Sequence, residues 1–236
     1  MIKSELIGLL GGMSWESSAL YYRLLNLGVN RELGGHHNAR SVLFTLDYEE
    51  LLSFASTGRW DLVGEVIAAA AVRVEHAGAA VVLITASTGH AVADQVEAAL
   101  NVPLLHIADP TGRAVAQAGI SRVGLLGTRF TMEMDFLPRR FRRQHGLEVL
   151  IREPADRLEL HRIIVDELTL GIVKEDSQGA VLRIARDMRD RGAEGIIIGC
   201  TELPLLLEVE QYPLPAFDLT RLHVEAAIEI VLEKGQ

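Results

Sequence analysis

Displaced by 114 residues, this chain aligns with itself: Arg73-Val74-Glu75-His76-Ala77-Gly78-Ala79, running on to Ala86, falls on Asp187-Met188-Arg189-Asp190-Arg191-Gly192-Ala193, running on to Cys200. Each copy reads as a polar helix end, a Gly-Ala turn and an apolar strand. A second pair, offset by 116, sets Ile7-Gly8-Leu9-Leu10-Gly11 against Val123-Gly124-Leu125-Leu126-Gly127. Such duplication predicts two pseudo-symmetric α/β domains, each a parallel sheet flanked by helices. Two small cores also suit 236 residues that are 49% hydrophobic and only 5% aromatic better than one large core does. The expected N-terminal domain covers 1–110, joined by a C-terminal helix within 216–236, and the C-terminal domain covers 111–215. Strand ends of the two halves are then expected to converge on an interdomain cleft, where open α/β sheets hold their ligands.

Local patterns fill in the elements. Leu6–Leu10, Ser41–Leu46, Val81–Ile84, Leu104–Ile107, Val123–Leu126 and Leu147–Ile151 read as strands, and a last one follows Pro213 and Pro215. Helices are expected from Ala19 to Val29, Trp60 to Ala77, Val92 to Leu100, Gly112 to Ala118, Met132 to Phe141, Ala155 to Leu170, Ser177 to Arg191 and Thr220 to Glu233. The leading Met1-Ile2-Lys3 reads as passing straight into a strand.

Four small, polar loops follow the apolar strands: Gly11-Gly12-Met13-Ser14, Thr85-Ala86-Ser87-Thr88-Gly89-His90, Gly127-Thr128-Arg129-Phe130-Thr131 and Cys200-Thr201-Glu202. Small residues let a backbone approach a ligand, and hydroxyls with helix-start N–H groups receive a carboxylate. A small anionic ligand is the shared expectation. Cys200 is the only cysteine, and the run Ile196-Ile197-Ile198 before it reads as a buried strand turning into a helix. A helix N-terminus favours thiolate over thiol, which would make Cys200 a base or nucleophile. The plainer reading is a small buried hydrophobe.

Other chemistries fit poorly. A net charge of −9 argues against a nucleic-acid partner, and Arg139-Arg140-Phe141-Arg142-Arg143 reads as a solvated helix face. His36-His37 are adjacent and lack neighbouring ligands at metal spacing, so no metal is expected. His90, His106 and His223 stand singly, the usual pattern of packed or capping histidines. Gly8-Leu9-Leu10-Gly11-Gly12 lacks the third glycine of a dinucleotide fingerprint, and no G-x-S-x-G elbow occurs. With one cysteine, no leader pattern and no membrane-spanning apolar run, the chain is expected to be cytoplasmic.

The run Ile196-Ile197-Ile198-Gly199-Cys200-Thr201-Glu202-Leu203-Pro204-Leu205-Leu206 resembles the second cysteine motif of the aspartate/glutamate racemase family, the amino-acid racemases that work without pyridoxal phosphate. Ile7-Gly8-Leu9-Leu10-Gly11-Gly12-Met13-Ser14 and Gly124-Leu125-Leu126-Gly127-Thr128 extend the resemblance over nearly the whole chain. It implies a homodimer with no cofactor, acting on a small amino acid or related carboxylate, with two cysteines flanking the substrate Cα. One thiol removes the proton and the other returns one to the opposite face. The family's first cysteine motif, Cys-Asn-Thr-x-His, stands here as Ala86-Ser87-Thr88-Gly89-His90. The first thiol and its asparagine are missing. Positions where some members hold a distal carboxylate with Arg and Lys correspond to the neighbourhoods of Leu51 and Thr169.

The expected activity is therefore proton transfer at Cα by an aspartate/glutamate racemase-like isomerase, impaired or enantiomer-biased by the loss of one thiol. Cys200 is the expected principal acid/base, and Thr85 or Thr88 would serve weakly in place of Ala86. Gly12, Met13, Ser14, Ala86, Ser87, Thr128, Thr131, Thr201 and Glu202 are the expected substrate contacts, with the Ser14, Thr128, Thr131 and Thr201 hydroxyls stabilising carbanion charge. Two alternatives stand beside it. A one-cysteine decarboxylase of the same superfamily would need only one thiol to protonate the carbanion left by CO2. A non-catalytic binder would retain the loops and lose the chemistry.

Overall fold

In the computed structural model the described residues are 4–233, so Met1-Ile2-Lys3 and positions 234–236 of the expected C-terminal segment lie outside them. The elements run in the order β1 (Ile7–Gly11), α1 (Trp15–Leu33), β2 (Ser41–Thr45), α2 (Tyr48–Ser56), α3 (Trp60–His76), β3 (Val81–Ile84) and α4 (Ala93–Ala99). Next come α5 (Ala108–Gln117), β4 (Arg122–Leu126), α6 (Arg129–Glu133), α7 (Phe136–His145), β5 (Glu148–Leu150), α8 (Pro154–Asp166), α9 (Glu175–Asp190), β6 (Gly195–Ile198), β7 (Ala216–Asp218) and α10 (Leu219–Glu233). The chain divides into two units, one formed by the residues up to Ile107 with those from His223 onward, the other by Ala108–Leu222.

Both units are α/β with wholly parallel sheets. In the first, β1 lies between β2 and β3; in the second, β4 lies between β5 and β6, and β7 adds to the far side of β6. The two sheets thus repeat one order around a central strand, and the duplication is legible in single atoms. A Cβ added to Gly8 on β1 would meet Val74 at 3.0 Å, and one added to Gly124 on β4 would meet Met188 Sδ at 2.4 Å. Val74 and Met188 are themselves repeat partners. Glycine in each central strand therefore admits the helix that crosses it. The turns that follow those helices also match, with φ of 95° at Gly78 and 94° at Gly192, a conformation that side chains strongly disfavour.

In the first unit β1 and β3 are apolar on both faces because helices cover both. Ile7, Leu9, Val81 and Leu83 pack with Tyr21, Leu25 and Val29 of α1 and with Val224, Ala227, Ile228 and Val231 of α10. Leu10, Val82 and Ile84 pack on the other side with Ile67, Ala70 and Val74 of α3 and Val96 of α4. In the second unit Leu126, Ile196 and Ile198 pack with Leu160, Ile163 and Ile164 of α8 and with Val181, Ile184 and Met188 of α9. Arg140 of α7, from the arginine-rich run, is paired with Asp109 of α5 at 2.7 Å, while Phe141 is buried. Among the described residues no helix is long and apolar enough to cross a membrane.

Four local expectations need correction. Leu104–Ile107 makes only an isolated bridge to β3, Val82↔Leu104, because the chain bends into α5 at Ala108 before a second rung forms. The helix expected over Met132–Phe141 is two, α6 and α7, since Met134 takes an extended ψ of 134°. The helix expected to Leu170 stops at Asp166 and is followed by a 3-10 turn over Leu168–Leu170. The unforeseen α2 is capped by Asp47, whose side chain accepts from Glu49 N at 3.0 Å.

Behind that 3-10 turn, the nearly buried Glu167 carboxylate accepts from Ser177 Oγ, Arg162 Nη1 and Lys174 Nζ. The Ser177 hydroxyl first, then the Arg162 guanidinium, pull its pKa from the usual 4.5 to about 2. A carboxyl depressed on folding stabilises the native state above its unfolded pKa, and that stability is lost as pH falls through the folded value. We expect urea midpoints of the native protein to fall between pH 4.5 and about 2, and Glu167→Gln to flatten that decline. Parallel curves for the two proteins would contradict the assignment.

Candidate active-site residues

In the first unit, the carboxyl ends of β1 and β3 carry the first two loops. After β1, Gly12 turns the chain at φ 95° and donates its N–H to Ser18 Oγ at 3.0 Å. Ser14 then caps α1 by accepting from Ser17 N at 3.1 Å, and Met13 Sδ lies 3.1 Å from where a Cβ on Gly89 would stand. Met13 is thus beside Gly89 of the same unit. After β3, Thr85 is fully buried, donating its hydroxyl to Leu10 O at 3.1 Å and sharing a hydrogen bond with Ser18 Oγ at 3.0 Å. That hydroxyl ties two strand ends together. It is enclosed by protein, so the proton-transfer role expected of Thr85 has no support in its geometry. Ala86, Ser87 and Thr88 are half-buried at the start of a 3-10 turn over Ser87–Val92, and Ala86 is extended there.

His90 fixes this loop. Its Nε2 accepts from Ile107 N–H at 3.2 Å, so Nδ1 carries the proton and donates to Ala86 O at 3.1 Å; the tautomer follows from the partners. The His106 ring lies edge-on at 4.7 Å and the His223 ring at 5.7 Å. His223 in turn donates Nε2–H to Leu105 O at 2.8 Å and accepts from the Tyr21 hydroxyl at 2.9 Å. All three rings are buried. The histidines that stood singly in the sequence are one packed cluster, and both nitrogens of His90 and of His223 are engaged.

In the second unit, β4 and β6 carry the other two loops. Thr128 caps α6, its Oγ1 lying 3.5 Å from Thr131 N and 3.2 Å from Thr131 Oγ1; Thr131 is buried and Thr128 half-buried. After β6, Gly199 packs so closely that a Cβ there would stand 2.8 Å from Leu126 O, and Cys200 follows, half-buried. Thr201 and Glu202 are also half-buried, and only a short 3-10 turn, Leu203–Leu205, comes next.

The thiol differs from its expected state. No α-helix begins at Cys200, so the macrodipole invoked from the sequence is absent. The Glu202 and Thr201 backbone N–H groups do favour thiolate, but burial and then the Glu202 carboxylate outweigh them and push the pKa well above the ordinary value. Cys200 rests as a neutral thiol. Its Sγ donates to Glu202 Oε2 at 2.7 Å. Glu202, an expected substrate contact, also pairs with the thiol, and the Cys-Thr-Glu spacing across a tight turn is the signal for it. Two further polar residues of this unit went unnoticed in the sequence. Tyr212 is buried, and Asp218 is the register partner of Ile198 on the neighbouring strand. Burial raises the Asp218 pKa, although its Oδ1 accepts from Thr220 N and Arg221 N.

Leu51 is buried in α2, and the Thr169 hydroxyl turns back to Val165 O at 2.6 Å. Neither position supplies a cation for a distal carboxylate. Among the described residues no three of His, Cys, Asp and Glu are grouped to hold a metal ion.

The sequence profile described as Asp/Glu/Hydantoin racemase matches residues 10–227. Among solved structures, a candidate Asp/Glu racemase from Yersinia pestis is 42% identical over 97% of this chain and 99% of its own, with a TM-score of 0.92. An aspartate racemase homologue from Pyrococcus horikoshii OT3 is 31% identical over 98% of this chain and 99% of its own, at 0.84. Arylmalonate decarboxylase shares the fold at 14% identity over 96% of this chain and 92% of its own, with a TM-score of 0.56.

Proposed function

The chain belongs to the Asp/Glu/hydantoin racemase family, and on that premise we propose that it moves a proton at the Cα of an amino acid without a cofactor, using Cys200 and Glu202 as one acid/base pair. The observation that carries this reading is the 2.7 Å contact between Cys200 Sγ and Glu202 Oε2. A thiol whose pKa is raised by burial is a poor base until something takes its proton. Glu202 is placed to do so. In the base direction the thiol proton passes to the Glu202 carboxylate, and the thiolate then removes the Cα proton as the C–H bonding pair becomes the carbanion. In the acid direction Cys200 returns a proton to that carbanion and is recharged from Glu202. Donors aimed at the substrate carboxylate would stabilise the carbanion. The half-buried Ser14, Thr128 and Thr201 hydroxyls are assigned to this, with Gly12, Met13, Ala86, Ser87 and Thr131 shaping the loops.

With Ala86 in place of a thiol, the other proton transfer falls to water or to Thr88. The Thr88 hydroxyl is half-buried and makes no hydrogen bond among the described residues. Because enantiomers are equal in free energy, kcat/KM must be the same in both directions however unlike the two faces are. Any bias is confined to kcat and KM taken singly.

The test is Cα–H exchange in D2O, followed by NMR, over a panel of L- and D-amino acids. Exchange with inversion supports the racemase; no exchange with any of them overturns it. For the dyad, Glu202→Gln is expected to lower exchange by about a hundredfold while leaving the fold intact. Unchanged exchange in that variant removes Glu202 from the mechanism.

One observation favours a second reading, decarboxylation with Cys200 protonating the resulting carbanion. The thiol rests neutral, ready to donate, and Ala86 leaves no second thiol to be explained. Release of CO2 from a disubstituted malonate, without exchange of amino acids, would select it. Binding of a carboxylate with neither reaction would select the binder.

A further inference from the structure

The hydroxyl of Tyr212 is buried and has no hydrogen-bond partner among the described residues. An enclosed polar group without a partner costs stability, so it calls for a state in which the bond is made. Tyr212 follows the short 3-10 turn Val209–Gln211 and sits in the apolar cluster of the second unit, with Leu126, Ile198, Leu203 and Leu207. Cys200 packs against that same cluster. Asp218, on the strand beside β6, is the other acidic neighbour, but its Oδ1 accepts from two backbone N–H groups and its Oδ2 faces Arg221 Nε at 3.5 Å.

We propose that Tyr212 is a positioning residue for the thiol: its O–H is unpaired while Cys200 is protonated and donates to the sulfur once the proton has left. The pairing of one buried donor with one sulfur that changes charge gives the hydroxyl a role at a site where phenylalanine would fill the same volume. Burial first, then the Asp218 carboxylate and the Cys200 thiolate, raise the phenol's own pKa. It therefore stays protonated, acting as a donor and never as a base. The hydrogen bond it offers lowers the energy of the thiolate relative to the thiol, which Glu202 and burial alone disfavour.

Cys200 is the only cysteine, so the rate of alkylation by iodoacetamide as a function of pH reports its ionisation without ambiguity. In Tyr212→Phe the midpoint of that profile is expected to rise by about one pH unit, with the urea unfolding midpoint unchanged or higher because no native bond is lost. An unchanged alkylation profile overturns the proposal. So does a loss of stability, since that would mean the hydroxyl already has a partner in the resting protein. For catalysis the inference rests on the proton-transfer reading above, and there kcat should fall about tenfold with KM unchanged. The two readings fail separately: a shifted alkylation profile in a protein that exchanges no amino acid would keep Tyr212 as the donor and discard the racemase.

Discussion

Cys200→Ser is expected to lower Cα–H exchange by about a thousandfold without changing the unfolding midpoint. Serine keeps the shape and can still donate to Glu202, so the turn that follows β6 loses little. What disappears is a group able to lose a proton near neutral pH. A serine hydroxyl beside a carboxylate, in a position where burial already raises the thiol, is far too weak an acid to replace it. Deuterium incorporation in D2O, measured at saturating amino acid for both proteins, checks this. Retention of more than a tenth of the native rate would show that the sulfur is a packed side chain and that the chemistry lies elsewhere.

The largest expected structural effect is at Gly12. Alanine there meets two penalties: φ is 95°, and its Cβ would stand 2.1 Å from Leu46 O, a backbone atom that cannot swing aside. The β1–α1 turn must deform, loosening the Gly12 N–H bond to Ser18 and the Ser18–Thr85 contact beyond it. We expect a loss of about 3 kcal/mol or more. Gly119→Ala separates the two penalties, because φ is 72° there but nothing lies within 4 Å of the added carbon; it should cost about 1 kcal/mol. Urea titrations of the two variants give the comparison. Equal losses would mean that the clash with Leu46 is relieved by movement of β2.

The duplicated architecture was open to sequence reading because its signals are short-range and come twice. Gly8 and Gly124, Gly78 and Gly192, and the apolar runs ending at Ile84 and Ile198 each name a strand or turn whose equivalent confirms it. Helix α2 was missed, although Asp47 followed by Glu49 and Glu50 is an acceptable helix start. Leu104–Ile107 has the composition of a strand, but pairing depends on how many residues remain before the chain bends into α5, which composition does not encode. The candidate site was legible as four loops, since small polar residues after apolar runs are visible in one dimension. Its electrostatics were not. Whether Cys200 faces an α-helix dipole or a carboxylate is decided by the turn of three residues after it, and the clustering of His90, His106 and His223 joins positions up to 133 apart in the chain.

Because α10 completes one face of the first sheet, that unit is made from two stretches separated by the whole of the other. During synthesis the β1–β3 sheet therefore leaves the ribosome with only α1 against Leu9, Leu83 and their neighbours, while Ala108–Leu222 emerges behind it with its own sheet entire. The order of birth is the reverse of the order of maturation: the portion translated first is the last to be sealed, when α10 arrives.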